Sequence, residues 1–310
     1  MSSSDPSRQG PGPLRRDTRA SPEDPQQAKS AFPPGLHVVS TPIGNLRDIT
    51  LRALDTLAAC DEVLAEDTRV ARRLLEAHGV RARLTAYHDH NGAQRRPEII
   101  ERLKGGERVA LISDAGTPLV SDPGFKLVRE AAEAGVDIHP VPGASALLAG
   151  LVTSGLPSDR FLFAGFPPPK SAARRGWLSE ISKVQATLVF YESGPRLAGL
   201  LSDMAATFGG ERDGAVAREL TKLFEETRRG TLEALASHYA QAGPPKGEIV
   251  VLAGPPPESV ASDADIDAAL KAALERLPTK AAAEEVAAVF GIARREAYQR
   301  ALSLKASGDG

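Results

Sequence analysis

Ionisable and turn-forming residues stand directly after short apolar runs of the sequence, and their positions indicate a ligand site. The most specific case is the loop after the run 109–112, which contains Asp114, Gly116 and Asp122. Such a run is typical of a buried parallel strand, and open α/β sheets bind ligands beyond the carboxyl ends of their strands. A purely structural turn needs far fewer special residues. We therefore interpret this loop as part of a binding site.

Two further polar segments have more than one interpretation. Glu66, Asp67 and Arg69 follow the run 61–65 and could form either the capped start of a helix or part of a site. His88 and His90 have the spacing of metal ligands on an extended chain, but no further His or Cys nearby completes a set. We predict no metal site, and a polar loop facing the substrate at residues 88–91.

Two loops limit the kind of ligand. Residues 41–45 follow the first strand with one glycine and one proline, where a Rossmann enzyme has G-x-G-x-x-G. This loop therefore does not form a dinucleotide pyrophosphate cradle. Residues 142–145 begin a helix of small residues, which would let the backbone approach a ligand closely. The alternative for this second loop is tight packing of the helix on a strand.

The alternation of apolar runs and helical patterns predicts an α/β protein with two α/β domains and a small helical unit. We predict a disordered tail at 1–34, an N-terminal domain at 35–157, a second domain at 158–254 and a helix-turn-helix-like tail at 262–305. Asp122-Pro123 has the composition of an N-cap and first helical position, so a helix is predicted from there to residue 134. A further helix is predicted at 94–104, and a short segment without assigned secondary structure at 228–230.

Composition excludes several classes of protein. The net charge of −2 argues against a general nucleic-acid coat and allows only local basic patches. The single cysteine, Cys60, excludes an internal disulfide and suits a reducing compartment. No apolar stretch has the form of a secretory signal or is long enough to span a bilayer, so we expect a cytoplasmic protein without membrane contact.

Basic residues mark two candidate contacts with an anionic partner. Lys170, Arg174 and Arg175 stand at the start of a predicted helix, where positive charge opposes the helix dipole and adds little stability. We therefore predict that these three residues bind an anion. Arg294 and Arg295 fall on the last predicted helix, which could contact RNA or could instead stabilise a homodimer.

The ordered series of motifs resembles the tetrapyrrole methylase superfamily. It includes STPIGNLRDIT at 40–50, AEDTR at 65–69, ISDAGTPLVSDPG at 112–124, YES at 191–193 and ARELTK at 217–222. Within the superfamily, the chain is most similar to the bacterial branch that methylates a cytidine 2′-hydroxyl in the decoding region of small-subunit (16S) ribosomal RNA. The resemblance covers residues 36–305 and includes the helical tail. The superfamily's central motif has an acidic residue where Thr117 stands.

The resemblance implies S-adenosylmethionine in a cleft between the two domains, with the small ribosomal subunit as partner. The residues that it assigns to the cofactor are Pro42, Ile43, Gly44, Asp114, Gly116, Thr117, Leu119, Val120, Ala144 and Ser145. Lys170, Arg174 and Arg175 would then contact RNA phosphate. A small, mostly apolar slot with few polar groups suits such a ligand.

Methyl transfer to a ribose oxygen requires positioning and benefits from a general base. The candidates for the base are Asp67, Glu192, Glu226 and His88, and Lys222 or Arg218 could stabilise the developing alkoxide. We favour Glu192 and Lys222, which stand at strand ends of the second domain. Two alternatives remain open, a methylase of a tetrapyrrole precursor and a non-catalytic RNA-binding module.

Overall fold

The computed structural model of the protein describes residues 32–257 and 263–308. Residues 1–31 of the predicted tail lie outside the described residues. The described chain forms two five-stranded sheets with helices around them, followed by three further helices. The prediction of an α/β fold with a C-terminal helical unit is confirmed.

The first sheet is entirely parallel, with strand order β3-β2-β4-β1-β5. Its strands are β1 (Gly35–Val39), β2 (Glu62–Ala65), β3 (Leu84–Ala86), β4 (Arg108–Ile112) and β5 (Ile138–Val141). The connection after β1 leads towards β2, whereas the connection after β4 leads to β5 on the other side. Because these two neighbouring connections leave in opposite directions, a crevice opens at the carboxyl ends of β1 and β4.

Helices cover both faces of this sheet. They are α1 (Leu51–Ala59), α2 (Thr68–Ala77), α3 (Asp89–Lys104) and α4 (Phe125–Glu133). The next helix, α5 (Ala146–Ser154), packs instead on the second sheet. One face forms a core that includes Leu57 and Leu75, and the other forms a core that includes Ile99 and Leu127. The central strand β4 is buried on both faces, which explains its continuous apolar run.

The second sheet is mixed, with strand order β6-β7-β10-β8-β9 and one parallel pair, β6 with β7. Its strands are β6 (Phe161–Gly165), β7 (Thr187–Ser193), β8 (Asp213–Arg218), β9 (Glu226–Thr231) and β10 (Glu248–Ala253). Three helices pack on one face, α6 (Ser171–Ile181), α7 (Gly194–Phe208) and α8 (Leu232–Ala242). The sheet and these helices bury a core centred on Phe190 and Leu201.

Helix α5 joins the two sheets through a shared apolar core. Its Leu151 packs with Val189, Val250 and Leu252 of the second sheet, and Ile43 from the first crevice loop contacts the same cluster. A Cβ on Gly150 would lie 2.8 Å from Val250, so only glycine allows this approach. The crevice loops of the first sheet are thereby held against the strand ends of the second.

The C-terminal unit consists of α9 (Asp263–Leu274), α10 (Thr279–Phe290) and α11 (Arg294–Gly308). It has a small core of its own that includes Leu270, Val286 and Ala301. Across residues 32–257 and 263–308, no helix combines the length and the apolar character needed to cross a membrane.

Three elements differ from the prediction. Helix α4 begins at Phe125 with Gly124 as its N-cap, at φ 128°, so Asp122 does not cap it. Helix α3 begins at Asp89 rather than at 94, because the Asn91 side chain accepts a hydrogen bond from the His88 N–H and closes the first turn. Residues 88–91 are therefore a helix start and not a loop. Strand β9 has six residues, where the sequence indicated only a short segment at 228–230.

Candidate active site

Three loops at the carboxyl ends of β1, β4 and β5 are bonded to one another. Thr41 and Gly116 exchange two backbone hydrogen bonds, of 2.9 and 3.1 Å. The Ser40 hydroxyl lies 3.0 Å from the Thr117 hydroxyl, which donates to the Ala144 carbonyl at 3.3 Å. Three loops that lie far apart in the sequence thus form one hydrogen-bonded floor.

A cleft lies between this floor and the second sheet. We call the first sheet with its helices and loops, together with α5, the first lobe, and the second sheet with its helices and loops the second lobe. The cleft holds about 700 Å³ of space, counting the part open to solvent. The first lobe contributes Ile43, Ala115, Val120, Ser121, Asp122 and Ala146. The second lobe contributes Phe166, Tyr191, Glu192, Glu219, Leu220, Lys222, Glu248, Ile249 and Val250.

Strained backbone is concentrated around this cleft. Among the described residues, the non-glycine positions with positive φ are Leu119 (73°), Ser121 (63°), Glu219 (49°) and Thr221 (66°). They belong to two loops, one from each lobe, and Ser121 and Glu219 both line the cleft. Backbone in this region costs free energy, and strain of this kind is concentrated at functional sites.

Asp122 is the cleft residue whose chemistry is most altered by its surroundings. Burial, together with the negative charges of Glu66, Asp114 and Glu248, raises the pKa of Asp122 to about 6, against the opposing effect of a hydrogen bond with Ser113. A carboxylate with such a pKa is mostly ionised at neutral pH and is more basic than an ordinary aspartate. Because Asp122-Pro123 has the composition of a helix start, the sequence analysis assigns Asp122 to a helix cap and not to the site.

The two favoured catalytic residues, Glu192 and Lys222, both line the cleft, and each forms an ion pair. Glu192 is 2% exposed, accepts a hydrogen bond from the Ser193 N–H at 2.8 Å, and lies 3.1 Å from the Arg196 guanidinium. The Lys222 ammonium lies 3.0 Å from Glu219 and its side chain is about one-third exposed. The Lys222 side chain also packs closely over Gly44. A Cβ atom on Gly44 would lie only 2.6 Å from the Lys222 side chain.

The other candidate bases lie away from the cleft lining. Asp67 caps helix α2, and its hydrogen bonds from Arg69 lower the pKa of its carboxyl to about 2. Burial would raise the pKa of Glu226, but hydrogen bonds from Arg218 and Arg228 outweigh burial and lower it. Both carboxylates are therefore weak proton acceptors. Arg218 forms a 2.7 Å ion pair with Glu226, and His88 is the N-cap of α3.

The residues assigned to the cofactor lie in or directly behind the cleft. Ile43 and Val120 line it, and Pro42, Gly44 and Asp114 line an adjoining pocket that shares Lys222 and Glu248 with it. Gly116, Thr117 and Ala144 belong to the bonded floor. Leu119 packs into the core of the first sheet, and Ser145 is the N-cap residue of α5. The structure therefore brings these positions together.

The three basic residues assigned to RNA have different surroundings. Lys170 is exposed, and the Arg175 side chain is 57% exposed. Arg174, in contrast, is 5% exposed and its guanidinium forms hydrogen-bonded contacts of 2.6 and 2.8 Å with Asp203 on α7. In this conformation Arg174 is not available to a phosphate, so of the three predicted RNA contacts only Lys170 and Arg175 lie at the surface. Asp203 is distant from Arg174 in the sequence, so the sequence pattern alone does not reveal this ion pair.

Tyr191, Phe166 and Glu248 are cleft residues that sequence reasoning did not assign to the site. The Tyr191 hydroxyl accepts a hydrogen bond from the Leu147 N–H at 3.1 Å, and its ring contacts Phe166 edge-on at 5.6 Å. Tyr191 stands in the YES motif and Glu248 in the segment KGE at 246–248, and these patterns are the signal in the sequence that could have identified both residues. Within the described residues, no group of three or more His, Cys, Asp or Glu could hold a metal ion.

Comparison with known proteins identifies related chains. Residues 35–236 match the family described as Tetrapyrrole (Corrin/Porphyrin) Methylases, and residues 260–305 match the RsmI C-terminal HTH domain. The ribosomal RNA small subunit methyltransferase I of Mesorhizobium japonicum is 55% identical over 278 residues, covering 89% of this chain and 95% of that protein. The protein of the same name from Erythrobacter litoralis is 51% identical, covering 90% of this chain and 99% of its own.

Solved structures share the fold at low identity. Uroporphyrin-III-C-methyltransferase from Thermus thermophilus has a TM-score of 0.51 at 23% identity, covering 71% of this chain and 93% of that chain. A diphthine synthase has a TM-score of 0.54 at 20% identity, covering 70% of this chain and 89% of its own.

Proposed function

The chain belongs to the tetrapyrrole methylase family, and on that premise we propose that it methylates the 2′-hydroxyl of a cytidine in the decoding region of 16S ribosomal RNA. Two relatives named as small-subunit ribosomal RNA methyltransferases match nearly the whole chain, including the C-terminal helices. The proposed methyl donor is S-adenosylmethionine, and the proposed partner is the small ribosomal subunit in the cytoplasm. The observation that carries the proposal is the cleft between the two lobes.

The residues of the cleft fit the proposed donor. S-adenosylmethionine supplies an electrophilic methyl group on a sulfonium cation when it is bound. The acidic side chains of Asp122 and Glu248 give the cleft a negative potential suited to such a cation. Ile43 and Ile249 offer apolar surface for a purine ring, and Gly116, which has no Cβ and a φ of 83°, lets the backbone approach the ligand.

The chain's own groups can accept and stabilise charge. We propose Asp122 as the group that takes the proton from the ribose hydroxyl, because no arginine or lysine forms an ion pair with it in the described chain. Glu192 stays a candidate, although Arg196 neutralises it. Lys222, at the edge of the cleft and adjustable on its long side chain, would stabilise the developing alkoxide.

Electrostatics supports a large, structured substrate. Exposed cations occur in small, separate sets, such as Lys170 with Arg175 on α6 and Arg294 with Arg295 on α11. Weak contacts at several points of one large surface add up to specific binding. A homodimer would double the number of such contacts.

The decisive test is transfer of labelled methyl groups from S-adenosylmethionine to small subunits from a strain that lacks the enzyme. We expect one methyl group on a cytidine ribose, at a higher rate on subunits than on naked RNA or a short hairpin. Labelling of a porphyrinoid instead of subunits would establish the tetrapyrrole alternative. Failure to bind the donor by calorimetry would establish a non-catalytic module.

A further inference from the structure

A second cavity lies on the second lobe beside the cleft, and Glu219 lines both. It holds about 920 Å³ of space, counting the part open to solvent. Its functional groups come from β8, β9, α8 and the loops that precede β9 and β10: Arg218, Phe224, Glu226, Arg228, Tyr239 and Lys246. None of the steps proposed for methyl transfer uses this cavity.

The charges of the second cavity favour an anion. Arg218 and Arg228 share a single carboxylate, Glu226, at 2.7 and 3.0 Å, which leaves one positive charge in excess. Lys246 is exposed and has no ion pair with the described residues, which adds a second. The remaining carboxylate, Glu219, is already paired with Lys222.

Two buried polar atoms beside this cavity, the Tyr239 hydroxyl and the Arg228 Nε, form no hydrogen bond of good geometry, although the two side chains lie close enough to interact with each other. Tyr239 is only 4% exposed, so solvent does not satisfy its hydroxyl. A buried polar group without a partner costs free energy. Both atoms are hydrogen-bond donors at the wall of the cavity, and a side-chain rotation that exposes them would let them donate to a phosphate or ribose oxygen bound there.

An aromatic side chain stands at the edge of the cavity. Phe224 lines it and is 69% exposed, although burial would stabilise a ring of this size. Stacking on an unpaired base is the common use of an exposed aromatic ring beside arginines. The strained residues Glu219 and Thr221 fix the backbone of the same loop.

We propose that this second cavity binds one unpaired nucleotide of the substrate RNA next to the target nucleotide, with its base on Phe224 and its phosphate at Arg228 and Lys246. This inference rests on the proposed function, because it assigns the position of the RNA strand in that reaction. Glu219 links the two cavities, so a strand with its ribose at the cleft has its neighbouring nucleotide within reach of the second cavity.

The test compares Phe224→Ala, Phe224→Trp and Lys246→Ala with the wild type in methyl transfer to small subunits. Stacking energies predict a rise in KM of at least fivefold for Phe224→Ala, with kcat and the affinity for S-adenosylmethionine unchanged. Phe224→Trp should restore the KM. Lys246→Ala should lower the slope of binding against salt by about one phosphate contact. Leu223→Ala, at a neighbouring position that is 89% exposed and does not line the cavity, is the matched control.

A second measurement separates this inference from the proposed function. Fluorescence anisotropy of a labelled single-stranded RNA of the target sequence reports binding whether or not a methyl group is transferred. If the wild type transfers no methyl group yet Phe224→Ala weakens RNA binding, the reaction is wrong and the cavity assignment holds. An unchanged KM and unchanged RNA affinity in both Phe224→Ala and Lys246→Ala would overturn the assignment. Displacement of the RNA by free cytidine monophosphate as efficiently as by the oligonucleotide would also overturn it.

Discussion

Replacement of Asp122 by asparagine should stabilise the protein and inactivate it. The pKa of Asp122 rises from 3.8 to about 6 on folding, and one unit corresponds to about 1.4 kcal/mol. The full difference would be roughly 3 kcal/mol, and screening on the open side of this half-buried group reduces it to about 1 to 2 kcal/mol. Asparagine has nearly the same shape and no charge, so this cost of ionisation disappears.

The sign of the pH dependence follows from the raised pKa. Below about pH 3, well under the unfolded pKa of 3.8, the carboxyl of Asp122 is protonated in both the folded and the unfolded chain, so the variant has no advantage. Between 3.8 and about 6 the unfolded chain ionises first, and the wild type loses stability relative to the variant as the pH rises. Above about pH 6 the difference is complete and constant.

The assay is urea denaturation of the wild type and Asp122→Asn at pH 4.0, 5.0, 6.0 and 7.5, with Glu76→Gln on the exposed face of α2 as the control. We expect the midpoint of the variant to exceed that of the wild type increasingly up to pH 6. A difference that does not change with pH would show that folding does not hinder ionisation of Asp122.

Activity of the same variant tests the proposed role of Asp122 as base. Loss of a general base lowers kcat by about 10²- to 10⁴-fold, and the wild-type kcat/KM should rise with pH up to about 6. Glu192→Gln should instead destabilise the protein, because it leaves the Arg196 guanidinium without its carboxylate. Activity within threefold of the wild type in Asp122→Asn, at saturating S-adenosylmethionine, would refute the assignment.

Three further outcomes are expected. Gly116→Val should reduce the affinity for S-adenosylmethionine at least tenfold in calorimetry while circular dichroism stays unchanged, because a β-branched residue resists the φ of 83°. Joint replacement of Lys170 and Arg175 by alanine should weaken binding to small subunits and reduce its salt dependence, and an unchanged salt slope would exclude this contact. Arg174→Ala should lower the free energy of unfolding by about 3 kcal/mol, because Asp203 would remain buried with only the Ser171 hydroxyl and the more distant Arg175 guanidinium beside it; a neutral effect in denaturation would contradict this.

Local sequence patterns predicted the secondary structure well where a buried segment is followed directly by a change of chain direction. The run that forms β4 is apolar because both faces of that strand are covered, and the loop that follows it does lie at the cleft. Asp122 shows the limit of the same method. Asp-Pro has the local chemistry of a helix start, but the positive φ of Gly124 delays the helix, and the cleft then surrounds the carboxyl with three other acids.

Partners that are distant in sequence account for the other differences. The charge on Arg174 looked unfavourable at a helix start, which suggested an external anion, yet Asp203 on the neighbouring helix supplies the countercharge. Glu226 is similarly placed between Arg218 and Arg228 by the pairing of β8 with β9. Such pairs depend on strand register and helix packing, which single-sequence patterns do not specify.

The distribution of charge constrains how RNA can enter. Asp122 and Glu248 line the cleft, and their negative charges would repel a phosphate while attracting a sulfonium cation. The exposed cations Lys170, Arg175 and Lys246 lie outside the cleft lining. A bound strand would therefore keep its phosphates on the outer surface and present only an uncharged ribose to the carboxylates. An unpaired, turned-out nucleotide meets this requirement, whereas a continuous duplex would bring phosphates of both strands towards the acidic residues.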